Sequence, residues 1–254
     1  MRFVMLHYHF LKSAGMAIED MLRRSFEKTY ASIDTEDRDG HMSTQALLAL
    51  LNSNPHLKAV SSHQIRYPVP QVRGFMFFDL CFLRDPIDRI RSIYDYFRDK
   101  PGVGDPVSES ANTLTLGEFI AFLIKEMPWY INDAQVNLLA NGIVNDCPSS
   151  QDFDRAAAQM LRTSFLGVVD LFGESMVAGQ YFVQPGFPEL ACWGVPTNTT
   201  AGVDSTLEER KALVREACDS ETYSELLRLN AMDSKLVDLA RAEVERRFRC
   251  VPPS

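Results

Sequence analysis

The sequence has no long apolar run. No stretch approaches the ~20 consecutive apolar residues that a membrane-spanning helix needs. The opening Met1-Arg2-Phe3-Val4-Met5-Leu6-His7 carries no extended apolar segment of the secretory type. Cysteine is sparse: Cys81, Cys147, Cys192, Cys218 and Cys250 are odd in number and form no C-x-x-C pair. That pattern argues against a disulfide framework or a zinc site and fits a reducing compartment. The expectation is a soluble, cytoplasmic protein without a membrane segment. A basic run is lacking as well, with 26 Lys and Arg against 34 Asp and Glu and a net charge of −8. Nucleic-acid backbones are gripped by clustered cations, so no nucleic-acid partner is expected. Any anionic ligand must be held by a local cluster. The nucleotide loop G-x-x-x-x-G-K-[ST] is also missing.

What is present reads as one α/β domain over residues 1–254, with no internal repeat and no boundary. Phe3 to Phe10 is short, apolar and aromatic, which suits a buried strand. From Ala14 the spacing of Ile18, Met21, Leu22 and Phe26 is helical. Residues 31–57 are polar and mixed, with a short helix over Thr44 to Leu51. Lys58 to His63 reads as a second strand, closed by the Tyr67–Pro70 loop. Phe75 to Leu83 has one polar interruption and fits an interior parallel strand. Asp85-Pro86 opens a helix, Asp as cap and Pro at the first helical position. Residues 100–113 read as loop. Helices follow at about 115–126, 129–140 and 151–163, then a strand from Phe165 to Leu171 and a helix near 173–182. Residues 185–202 read as loop and about 206–248 as helical. Strands separated by helices imply a three-layer parallel sheet.

Two constellations carry chemistry. The first is His9-Phe10-Leu11-Lys12-Ser13-Ala14-Gly15, between a strand and a helix start. Small residues at 13, 14 and 15 admit a ligand close to the backbone. The helix start offers unpaired N–H groups and a positive dipole end, and Lys12 adds a full charge. Taken alone, the segment reads equally as a plain turn with a surface lysine. The second is Arg84-Asp85-Pro86-Ile87-Asp88-Arg89-Ile90-Arg91-Ser92. Ile87, Ile90, Tyr94 and Phe97 share a helix face, and Ser92 points away from it. Arg84 ends a buried strand, the favoured ligand edge of an open α/β sheet. A guanidinium and a hydroxyl there are suited to a phosphate. The alternative is a capped helix with a solvated arginine.

These segments resemble the two phosphate motifs of the sulfotransferases, in the branch that includes the carbohydrate sulfotransferases. The first is similar to the 5′-phosphosulfate loop, matching at His9, Lys12, Ser13, Ala14 and Gly15. It departs at Leu11, where proline is usual, and at Met16 and Ala17, which replace two hydroxyl residues. The second is similar to the 3′-phosphate motif. The resemblance implies a P-loop-kinase-like sulfotransferase architecture, related to nucleotide kinases, and 3′-phosphoadenosine 5′-phosphosulfate (PAPS) as co-substrate. Lys12, Ser13, Ala14, Gly15, Met16 and Ala17 would hold the phosphosulfate, and Arg84 and Ser92 the 3′-phosphate, with Arg89 secondary. Weaker likenesses lie at Asn132 to Gly142, at Phe165 to Phe172 with Ser175, and at Asn230-x-x-Asp233-x-x-Leu236.

Sulfuryl transfer needs a base for the acceptor hydroxyl. His63 is the candidate, at a strand end on the same sheet edge, and members of the family often carry a histidine there. The alternative is a loop histidine without a role. Lys12 would neutralise charge on the leaving phosphate oxygen. His7 and His9 alternate on one strand and share a face, as a metal pair or a packed pair, with His9 bracing its loop. The chemistry itself requires no metal. His41 and His56 read as surface. Arg246, Arg247 and Arg249 suit a helix C-terminus, or a cofactor. The Thr197–Thr200 loop is a further candidate to approach the cofactor or acceptor.

The function expected from the resemblance is O-sulfonation of a small-molecule or carbohydrate hydroxyl. The rivals are an ATP-dependent small-molecule kinase and a non-catalytic nucleotide binder on a degenerate sulfotransferase fold. The acceptor pocket would come from 31–57, 100–114 and 185–202, with Tyr67, Trp129, Tyr130 and Trp193 as possible lining.

Overall fold

A computed structural model describes residues 1–34, 41–98, 104–142, 147–192 and 205–252. Its centre is a parallel sheet in the order β2-β3-β1-β4-β5. The strands are β1 (Arg2–Tyr8), β2 (Tyr30–Ser32), β3 (Ala59–Ser62), β4 (Phe75–Leu83) and β5 (Phe165–Val168). β1 is central, pairing Leu6 with Val60 on one side and with Asp79 on the other. The chain builds β2 and β3 to one side of β1 and then β4 and β5 to the other, so the crossover direction reverses beside β1.

Both faces are covered. Leu6, Val60, Cys81, Leu83 and Leu166 pack against α2 (Thr44–Ser53), α6 (Ala134–Leu139), α7 (Ser150–Arg162) and α11 (Ala231–Arg249). Met5, Ala59, Leu80, Phe82 and Phe165 pack against α1 (Gly15–Phe26) and α8 (Phe172–Val183). The expected three layers are present, and the near-continuous apolar run of β4 follows from burial on both sides. A third apolar cluster joins α3 (Pro86–Arg98), α4 (Pro106–Thr113), α5 (Leu116–Glu126), α9 (Leu207–Ala217) and α10 (Ser220–Leu229). Among the described residues no helix is long and apolar enough to cross a membrane.

Several boundaries differ from the sequence reading. β1 stops at Tyr8 because His9 turns into the loop, its N–H donating to the Ser62 carbonyl at 3.1 Å. The strand expected second is third, since Tyr30–Ser32 is a three-residue edge strand too short to show a pattern. Residues 106–113, expected as loop, form α4. Asp105 caps it by accepting from the N–H groups of Val107 and Ser108. The helix expected over 129–140 splits into a 3₁₀ turn at Pro128–Tyr130 and α6, because Asp133 takes a left-handed φ of 45°. β5 ends at Val168, and Val169–Leu171 is a 3₁₀ turn.

Candidate active site

A parallel sheet brings all its C-terminal strand ends to one edge. Here that edge carries Asp34 after β2, His63 after β3, His9 after β1 and Arg84 after β4. The order β2-β3-β1-β4 therefore lays four polar side chains in a row across the point where the crossover direction reverses. That is the usual ligand crevice of an open α/β sheet.

The loop after β1 holds two left-handed residues, Lys12 at φ 62° and Ala14 at φ 60°. Left-handed φ at non-glycine residues costs energy and concentrates at functional sites. Such alternation turns backbone N–H groups to one side, making a concavity for an anion. Ala14 offers no capping side chain, and the first turn of α1 contains no acidic residue. Ser13 is 1 % exposed, and its hydroxyl has no hydrogen-bond partner among the described residues. The Lys12 ammonium lies 4.4 Å from the centroid of the Tyr96 ring on α3, which places it by a cation–π contact. Met16 is exposed and Ala17 is packed in the core. Gly15 has a reason besides ligand approach: a Cβ there would fall inside the His9 imidazole.

Two arginines hold this loop from the β4 side. Arg84 donates to the Lys12 carbonyl at 3.1 Å and pairs through Nε with Asp88 at 2.8 Å. Asp88 is buried and shared with Arg210 at 2.8 Å. Burial pushes the Asp88 carboxyl up, but hydrogen bonds from Arg84 and Arg210 outweigh it and hold the group below its ordinary value. Arg89 is buried and donates to the Tyr130 carbonyl at 2.7 Å and, at 3.5 Å, to the Leu11 carbonyl. The backbone of Arg84 is clamped on both sides by Gln135, which accepts from its N–H and donates to its C=O, each at 2.9 Å. Gln135 is in turn held by the Asp233 carboxylate through its own N–H at 3.1 Å and its Nε2 at 3.2 Å. The segments around Gln135 and Asp233, weak in the sequence, thus position Arg84. Ser92 is 3 % exposed on α3, away from the Ile87 and Ile90 face, and its hydroxyl too has no partner among the described residues. A buried hydroxyl left unpaired is uncommon, and one that meets a ligand oxygen is thereby satisfied.

His63 stands at the other end of the row. Its Nδ1 is 2.8 Å from Asp34 Oδ2, while Asp34 Oδ1 accepts from the His63 N–H and the Ser62 hydroxyl, each at 2.9 Å. Burial raises the Asp34 carboxyl, but these hydrogen bonds outweigh it and hold the group below its ordinary value. An ionised carboxylate only accepts, so His63 carries its proton on Nδ1 and leaves Nε2 as a lone pair. The ring stacks on His9 at 3.8 Å, and His9 lies 5.2 Å from His7. Partial burial and the neighbouring His9 lower the His63 pKa, although Asp34 opposes them. His9 Nδ1 meets Glu19 Oε1 at 3.2 Å, and Glu19 also accepts from Ser32 at 2.8 Å. His7 is buried, with Nδ1 2.8 Å from the Ser61 hydroxyl.

Donor atoms of His7, His9 and Glu19 lie within 4.8 Å of one another, the set with metal-ligand chemistry among the described residues. The His9 donor nearest Glu19 is spent on that carboxylate. The other candidates fall elsewhere. Arg247 is buried and structural, paired with Glu243 at 2.7 Å and donating to the Thr163 carbonyl at 2.6 Å. His41 and His56 are exposed, as expected. Trp193 and Thr197–Thr200 lie outside the described residues. Sequence reasoning missed Asp34 and Glu19. An Asp two residues past a three-residue strand leaves no signal, and Glu19 reads as the polar face of α1.

No known family profile matches the chain. A protein of Archaeoglobus fulgidus, described as an uncharacterized protein, is 24% identical over 247 residues, covering 94% of this chain and 97% of its own length.

Proposed function

We propose that the chain is a PAPS-dependent sulfotransferase acting on a small-molecule or carbohydrate hydroxyl, on a fold of the nucleotide-kinase type. The observation that carries the reading is the row on one sheet edge: an anion-suited loop at Lys12, Arg84 with the unpaired Ser92 hydroxyl, and the His63–Asp34 pair. Two separate anion grips suit a nucleotide phosphorylated at both its 3′ and 5′ positions, and Ser13 and Ser92 supply buried hydroxyls without partners among the described residues.

PAPS supplies an activated sulfuryl group whose bond to the 5′-phosphate oxygen breaks as the acceptor oxygen bonds to sulfur. His63 Nε2 takes the proton of the acceptor hydroxyl. Asp34 holds the imidazole and stabilises the imidazolium that results, acting as a positioning residue. Lys12 and the α1 N-terminus face the charge released on the departing phosphate. Positioning supplies most of the acceleration, and the base about 10²- to 10⁴-fold.

The test has two arms. Thermal shift with adenosine 3′,5′-bisphosphate is expected to stabilise the protein where ATP does not. Equal stabilisation by ATP would favour a kinase. Single-turnover transfer of labelled sulfate is expected to fall at least about a hundredfold in His63→Ala. Unchanged transfer would remove His63 from the mechanism. Bisphosphate binding without any transfer would favour a non-catalytic binder.

A further inference from the structure

Immediately past His63, on the same edge of the sheet, a half-open cleft of about 280 Å³ lies between α2 and the segment 65–72. Met42, Leu47, Ile65 and Val69 give it apolar walls, Arg66 brings positive charge and His41 an imidazole. A cavity of roughly 150 Å³ takes a benzene ring, so this one has room for a single ring with a polar substituent.

Arg66 decides what that substituent is. It is half-buried, and its guanidinium has no carboxylate partner among the described residues. Its hydrogen bonds run through one nitrogen, Nη1, to the carbonyls of His63 at 2.6 Å and Ile65 at 3.2 Å. Carbonyls satisfy donors but do not neutralise a cation, and a desolvated unpaired cation is costly. Burial accordingly lowers the Arg66 pKa, and burial together with Arg66 lowers that of His41. Among the described residues the edge formed by Nε and Nη2 meets no acceptor, and its two parallel N–H donors have the geometry that grips a carboxylate bidentately. The bond to the His63 carbonyl puts this arginine at the seam between cavity and base.

We propose that the cavity is the acceptor subsite and that the acceptor is a small hydroxy acid whose carboxylate pairs with Arg66 while its hydroxyl reaches His63. This rests on the sulfuryl-transfer reading and narrows it to an anionic acceptor of single-ring size.

The experiment measures binding and transfer separately. A panel of single-ring hydroxy acids, 4-hydroxyphenylacetate among them, is titrated calorimetrically beside the corresponding methyl esters. The wild type is expected to bind at least one acid about tenfold or more tightly than its ester, the scale of a charge-assisted pair. Arg66→Met is expected to abolish that preference and Arg66→Lys to keep part of it. Stabilisation by adenosine 3′,5′-bisphosphate should persist in both variants, showing that fold and nucleotide side are intact. Absence of any acid preference in the wild type, or its survival in Arg66→Met, overturns the subsite. Arg66-dependent acid binding without bisphosphate binding or sulfate transfer would leave the anion pocket standing and overturn the sulfuryl-transfer reading instead.

Discussion

The guanidinium of Arg84 bridges a loop and a helix, donating to the Lys12 carbonyl at 3.1 Å while its Nε meets Asp88 at 2.8 Å. One planar group ties the loop after β1 to the helix after β4, and Asp88 extends the tie to Arg210 on α9. A lysine in its place is a single point charge and cannot hold both directions at fixed geometry. Arg84→Lys is therefore expected to weaken adenosine 3′,5′-bisphosphate binding by about tenfold or more, read by calorimetry. Wild-type affinity in Arg84→Lys would show that neither the tie nor a phosphate contact needs the guanidinium.

Asp34 acts on the proton affinity of His63, so its role is visible in a pH profile. His63 must be neutral to accept a proton, and its pKa lies below the ordinary value. Wild-type kcat/KM should therefore rise with pH along a limb whose midpoint lies below about 6.5, the unperturbed imidazole value. Asp34 opposes the lowering, so Asp34→Asn should move the acid limb to still lower pH. The plateau should fall about 10- to 100-fold, because the imidazolium loses its counter-charge. A lower plateau with an unmoved limb would mean that Asp34 only shapes the loop.

The sheet was legible where burial writes itself into composition. Phe75–Leu83 reads as an interior strand because both faces are covered, and the Ile18-Met21-Leu22 spacing reads as a helix because only one face is. β2 was not legible, since Tyr30–Ser32 is short and at an edge, where nothing demands a pattern. α4 was hidden for a different reason. Its helical start depends on the Asp105 cap, while its Pro, Ser and Asn content resembles a loop. In the site, Lys12, Arg84, Ser92 and His63 stand in local segments that can be read one at a time. Asp34 and Gln135 cannot be, because each acquires its role from a partner 29 and 51 positions away.

Gly15 connects the anion loop to the histidine column. The His9 ring occupies the space where a side chain at 15 would go, and His9 stacks on His63 at 3.8 Å. A methyl group there must displace the imidazole, at a cost of about 1–3 kcal/mol for an overpacked site. Gly15→Ala is expected to lower the melting temperature and to reduce transfer more than it reduces bisphosphate binding. A variant with normal transfer would show that the base keeps its place without the stack.

The buried carboxyl of Asp133 ties stability to pH. Asp133 precedes α6 at φ 45°, and its carboxyl accepts from the Asp233 N–H at 2.7 Å. Burial first, and then the charge of Asp233, push its pKa up from 3.8 to about 7. A carboxyl whose folded pKa is raised prefers the protonated form in the folded protein. Its contribution is then fully present below the unfolded value near 4 and is lost as pH rises to about 7. Asn keeps the accepting oxygen, tolerates the left-handed backbone and carries no charge. Asp133→Asn should thus match the wild type near pH 4. Its advantage should grow to the order of 4 kcal/mol a little above pH 7 and then stay level. Melting curves across pH 4–9 would read this as a gain of about 2–4 °C per kcal/mol. A difference that does not change with pH would show that Asp133 is ionised throughout, with Arg89 and the surrounding N–H groups sustaining both buried charges.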